Sequence, residues 1–159
     1  MLKVFVLFVC MGNTCRSPMA EGYFNKLLAE NNYERLVYVD SAGTHSSREG
    51  QAPNSYAMKI AEKEHFNIAH LRSRTVDLSD AKQFDYIVVM DRENMDAVKA
   101  KLPLKYHHKI HLLLDFVDES GYEIKDPYER GEEEYARAYN LIRSGVDGFF
   151  DYMEKKYKL

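Results

Sequence analysis

Short apolar runs rich in β-branched residues recur at residues 4–9, 36–39, 86–90 and 110–114, and helical periodicity fills the stretches between them. That alternation leaves few folds open. Strands separated by helices bury their apolar faces in a parallel sheet with helices on both sides, so the expected class is α/β. The opening MLKVFVLFVC is apolar but has no small-residue cleavage site and soon meets Asn13 and Arg16. It therefore reads as a buried strand rather than a signal peptide or membrane span.

After this strand, Ser17 is expected to cap a helix with Pro18 at its first position, and Met19, Ala20, Tyr23, Phe24, Leu27 and Leu28 form one apolar stripe. A second helix is expected over about residues 53–65, with Ala57, Ile60 and Ala61 inward, and a third after Asp91. The last, residues 132–156, opens on acids, ends on lysines and buries Tyr135, Ala138, Tyr139, Ile142, Val146, Phe149 and Met153. Residues 115–131 form the one long irregular stretch, a length that in loops often signals function. A chain of 159 residues with 45% hydrophobic residues suits one domain over residues 1–159 that buries roughly 70% of its unfolded surface.

Charge excludes some partners. The net charge of -3 is spread along the chain, and no basic cluster points to nucleic acid. Two cysteines without an export signal argue for a reducing, cytoplasmic setting, where a special cysteine serves chemistry rather than a disulfide framework.

In open α/β sheets, ligands bind beyond the carboxyl ends of the strands, which directs attention to the loop from Cys10 to Arg16. Its N–H groups, with the start of the following helix, can curl around an anion. Gly12 is its only glycine and no Gly-Lys pair follows, so neither nucleotide-binding motif fits. A thiol and a guanidinium take those places. Amide dipoles and a nearby Arg16 favour a thiolate at Cys10, hence a nucleophile. The guanidinium can hold two phosphate oxygens and follow charge as it develops on a transferring phosphoryl group. Ser17 is placed to donate to the sulfur, and Asn13 tolerates the left-handed backbone that a tight cradle needs. Each feature alone is ordinary; cysteine, five residues, arginine and serine between a strand and a helix are far more specific. Asp126, in KDPYERG, is the candidate proton donor, with Pro127 stiffening the loop and Tyr128 walling the pocket.

With these residues in place, the chain resembles the low-molecular-weight protein tyrosine phosphatases. VCMGNTCRSPMAE and DPY match that family's two signatures, and SAGT at residues 41–44 and FDYIVVMDRENM at residues 84–95 follow in the expected order, so the resemblance covers essentially the whole chain. It implies a three-layer sandwich around a four-stranded, Rossmann-like parallel sheet, and hydrolysis of phosphotyrosine through a cysteinyl-phosphate intermediate without metal or cofactor. By matching position, Cys10 is the nucleophile, Arg16 binds phosphate, and Asp126 is acid and then base. Met11, Gly12, Asn13, Thr14, Cys15 and Ser17 line the phosphate loop, and Asn13, Ser17 and Ser41 fall where the family shapes it by hydrogen bonds. A histidine that often joins that network has no counterpart in register; His70 lies one position off. The expected partners are phosphorylated protein substrates and inorganic phosphate or other oxyanion inhibitors, with no nucleic acid and no membrane, for a chain expected to be a monomer or weak dimer.

Three departures bear on substrate. Ser47, followed by Arg48 and Glu49, stands where many members carry an aromatic wall residue, and Glu129 occupies another position that is often aromatic. Thr14 replaces the isoleucine usual in tyrosine-specific members and matches a related bacterial branch that acts on phosphoarginine, whereas Tyr128 is usually lacking from that branch. Phosphotyrosine is the primary expectation and phosphoarginine the alternative. Cys15 reads either as a small buried side chain or as a thiol able to capture an oxidised Cys10 in a reversible disulfide. Arsenate reductases on this fold use further cysteines downstream, which this chain lacks. A non-catalytic phosphate-binding module would keep Arg16 without needing Cys10 and Asp126 together. His107, His108 and His111 invite a metal reading that no acid or cysteine pattern completes.

Overall fold

A computed structural model of the chain describes residues 3–45, 47–117 and 122–159. Four strands, β1 (Val4–Cys10), β2 (Val37–Gly43), β3 (Tyr86–Val89) and β4 (Ile110–Leu112), form one parallel sheet in the order β2-β1-β3-β4. Among the described residues, five α-helices connect and cover them: α1 (Arg16–Glu30), α2 (Ser55–Lys63), α3 (Leu78–Gln83), α4 (Arg92–Lys101) and α5 (Glu132–Tyr157).

The two-residue period of β1 sorts its side chains between two cores. Val4, Val6, Phe8 and Cys10 face the layer containing α1 and α5, and Leu7 and Val9 face Ala81 of α3 and Val98 of α4. Phe8 meets Phe24 of α1 and Phe149 of α5 edge-on, at centroid distances of 5.7 and 6.2 Å. Such pairs contribute about 0.5–1.5 kcal/mol each beyond the area they bury, so this strand is anchored firmly where it ends at the site. Because β1 has β2 on one side and β3 on the other, the chain leaves these carboxyl ends in opposite directions. The crevice between them is the switch point at which open α/β sheets bind ligands.

Several boundaries differ from expectation. Helix α1 starts at Arg16, its N-cap is Cys15, and no side chain caps it. Ser17 is already helical and its hydroxyl serves the neighbouring loop instead, which corrects the expected cap. Pro18 still lies within the first turn, where a missing N–H costs nothing. The fourth apolar run is strand only to Leu112, and Leu113–Phe116 form a 3₁₀ turn beneath α5. Helix α3 was not expected. It has six residues and buries only Asp80 and Ala81, so it has almost no apolar period to read; a capping box between Asp77 and Asp80 holds it instead. Residues 118–121 of the long irregular stretch lie outside the described residues.

Candidate active site

The loop after β1 is held by its carbonyl groups. Cys10 O accepts from Thr44 N at 3.0 Å, Met11 O from His45 N at 3.1 Å, and Thr14 O from Asn54 N at 2.8 Å. Gly12 O accepts from Ser73 Oγ at 2.8 Å. With the carbonyls tied outward, the amides are left over: among the described residues, the N–H groups of Met11, Gly12, Asn13, Thr14 and Cys15 meet no protein acceptor. Asn13 turns the loop with φ 57°. At the end of β2, a Cβ on Gly43 would lie 2.7 Å from Met11 O, so only glycine permits this approach.

Inside the curl sits the thiol of Cys10, 2% exposed, with Ser17 Oγ 3.1 Å from its sulfur. Asn13 Nδ2 donates to Ser17 Oγ at 2.8 Å and to Ser41 Oγ at 3.0 Å, while Asn13 Oδ1 accepts from Arg74 N at 3.1 Å. An Asn13 proton on the Ser17 oxygen leaves the serine's own proton free for the sulfur. Ser41 Oγ then donates to Glu21 Oε1 at 2.7 Å, extending the chain to a buried carboxyl. His70 is exposed and takes no part, so a backbone amide fills the acceptor of Asn13.

Glu21 was not anticipated. Burial, reinforced by the charge of Asp40 and only partly offset by Ser41 and Arg74, pushes its pKa from 4.5 up to about 7. Between those values the folded protein holds a proton that the unfolded chain has released. Stability therefore falls as pH rises through this window, by about 1.4 kcal/mol per pH unit from this group. Glu21→Gln keeps an acceptor for Ser41 and cannot ionise, so urea unfolding across pH 4.5–7 should show a flatter dependence than wild type. An unchanged slope would assign the pH dependence to other groups.

Among the described residues, Arg16 is the largest fully buried side chain. Its Nη1 donates to Asp91 Oδ2 at 2.6 Å and to Ile124 O at 2.8 Å. Asp91 in turn accepts from Asn94 N at 2.7 Å, capping α4, so the helix start fixes the carboxylate that fixes the guanidinium. Burial works against the charge of Arg16, but Cys10, Asp91 and Asp126 outweigh it. The other edge of the fork is nearly free: Nη2 lies 3.6 Å from Asp126 Oδ2, and Nε is buried and, among the described residues, has no partner. An orphaned buried donor is costly, and two phosphate oxygens would satisfy this edge.

Asp126 is tied to its own loop, accepting from Tyr128 N at 3.0 Å through Oδ1. Cys15 places its sulfur 3.2 Å from Tyr135 Oη and 3.7 Å from Thr14 Oγ1, and burial raises its pKa. Both cysteines are free thiols. Met11 is half-buried at the rim, whereas Ser47 and Glu129 are exposed and, among the described residues, make no hydrogen bond or ion pair to the loop. The residue that does reach it is Arg48, whose Nη1 lies 3.2 Å from Thr14 Oγ1 and whose guanidinium carbon lies 3.5 Å from the centre of the Tyr128 ring.

A family model described as low molecular weight phosphotyrosine protein phosphatase matches residues 5–159. The chain is 34% identical over 157 residues to the low molecular weight protein-tyrosine-phosphatase YfkJ of Bacillus subtilis, covering 98% of this chain and 99% of that one. The crystal structure of YfkJ superposes with a TM-score of 0.92, covering 98% of each chain at 32% identity. A protein tyrosine phosphatase from Entamoeba histolytica, solved with Hepes in its active site, gives a TM-score of 0.90 at 34% identity over 98% of this chain and 99% of that one. The YwlE arginine phosphatase from Geobacillus stearothermophilus also aligns, with a TM-score of 0.84 at 27% identity over 96% of this chain and 94% of its own.

Proposed function

The chain belongs to the low molecular weight phosphotyrosine protein phosphatase family, and from that premise we propose that it hydrolyses phosphotyrosine in proteins by way of a cysteinyl phosphate. One observation carries the reading: among the described residues, a thiol lies inside a loop of five unpaired amides, beside a buried guanidinium whose Nε has no partner. These donors suit the equatorial oxygens of a phosphoryl group passing between two axial atoms, and they are preorganised for its charge.

In the first step, the sulfur of Cys10 attacks phosphorus as the thiolate and the bond to the phenolic oxygen breaks; the carboxylic acid form of Asp126 gives that oxygen its proton and is left as a carboxylate. Ser17 stabilises the sulfur before attack and again as it leaves. In the second step, Asp126 accepts a proton from water, the water oxygen attacks phosphorus, and the sulfur departs, releasing inorganic phosphate. The Arg16 fork spans both steps. Asp91 positions the fork and is a positioning residue, since it touches no reacting atom.

Acid-quenching the enzyme during turnover of a phosphotyrosine peptide should trap phosphate on Cys10, as read by mass analysis of the digested protein. Stoichiometric phosphate release with no adduct at any time would overturn the covalent route.

A further inference from the structure

Arg48 is left unused by this scheme, yet it occupies the entrance to the cradle. Its guanidinium lies against the Tyr128 ring at 3.5 Å, its Nη1 donates to Thr14 Oγ1 at 3.2 Å, and Nη1 lies 2.5 Å from where a Cβ on Gly12 would sit. One flat cation thus covers the aromatic wall, engages the hydroxyl in the loop and stands over the loop's only glycine. We propose that Arg48 is a specificity-determining residue that makes this site select aryl phosphates over phosphorylated arginine. This rests on the phosphotyrosine reading above.

The two candidate side chains differ in what they bring to that entrance. A phosphotyrosine ring carries no charge of its own and has two π faces. It displaces the guanidinium from Tyr128 and offers its outer face to the same guanidinium, so that the contact with Arg48 is exchanged rather than lost. A phosphorylated arginine carries a delocalised cation next to its phosphorus. To enter, it must give up hydration, bring like charge against Arg48 and compete for the Thr14 hydroxyl, which already accepts from Arg48. Asp126 could attract such a cation, but its oxygens already face Tyr128 N and Arg16. Thr14, which taken by itself suits a guanidinium substrate, is here engaged by a guanidinium of the protein itself.

The test compares kcat/KM on two peptides of the same sequence, one with phosphotyrosine and one with phosphoarginine, for wild type, Arg48→Ala and Arg48→Lys. Loss of the cation–π contact together with loss of the like charge should lower the phosphotyrosine-to-phosphoarginine ratio by about tenfold or more in Arg48→Ala. Arg48→Lys keeps the charge without the flat stack and should fall between the two. Matching thermal midpoints would exclude a folding defect in this half-buried rim residue. A ratio that stays the same or rises in Arg48→Ala, with wild-type phosphotyrosine hydrolysis intact, overturns this proposal alone. A wild type inactive on phosphotyrosine removes the functional reading and the proposal with it.

Discussion

Cys10→Ser is expected to lower aryl phosphate turnover by roughly 10⁴-fold or more, the scale on which a nucleophile is lost, while vanadate still binds. A hydroxyl at this position fits the same space and can keep the hydrogen bond to Ser17, so the fold should be undisturbed. What it lacks is ionisation, since nothing in the loop takes its proton as a base would. On the proposed reading the donors for an oxyanion are the loop amides and Arg16, and the substitution removes none of them. Calorimetric titration with vanadate, paired with steady-state rates, separates binding from chemistry. Retained turnover would refute the assignment of the nucleophile.

For Asp126→Asn, the expected loss depends on the leaving group. With a phenol of ordinary basicity, losing the general acid should cost roughly 10²–10⁴ in rate. With an activated leaving group such as 4-nitrophenol, which departs without a proton, the loss in the first step should be far smaller. Asparagine keeps the carbonyl oxygen that accepts from Tyr128 N, so the loop turn should persist. The discriminating measurement is the slope of log rate against leaving-group pKa, which should steepen in the variant. Parallel losses across the series would instead make Asp126 a positioning residue.

Periodicity and local motif carried much of this site. The thiol, the arginine six residues on, and the loop at the end of an apolar run are adjacent in sequence, so their placement between a strand and a helix could be read before any fold was known. The partners that aim them are not adjacent. Asp91 meets Arg16 across 75 residues, and in sequence it looks only like a helix cap, which it also is. Glu21 lies among the apolar positions of α1, and only the register of β1 on β2 brings Ser41 against it. Arg48 shows why reading a rim position by position falls short. Ser47 stands where the family resemblance leads one to look for a wall residue, but the long side chain next to it is the one that reaches Thr14 and Tyr128. Helix α3 fails for another reason: it is held by a polar capping box rather than by an apolar stripe.

The carbonyl tethers of the cradle also decide how the site comes into being. Thr44, His45, Asn54 and Ser73 hold four consecutive or near-consecutive carbonyls of one short loop, and all four come from the segment that follows β2. None of them is available to the loop until β2 has paired beside β1 and the chain beyond it has folded back. The signature stretch grafted between a strand and a helix of another protein would carry the thiol and the arginine but let its amides turn toward the nearest acceptor. On the proposed reading, anion capture is in this sense a property of the assembled tertiary structure. During refolding, it should therefore be regained together with the native sheet and never ahead of it.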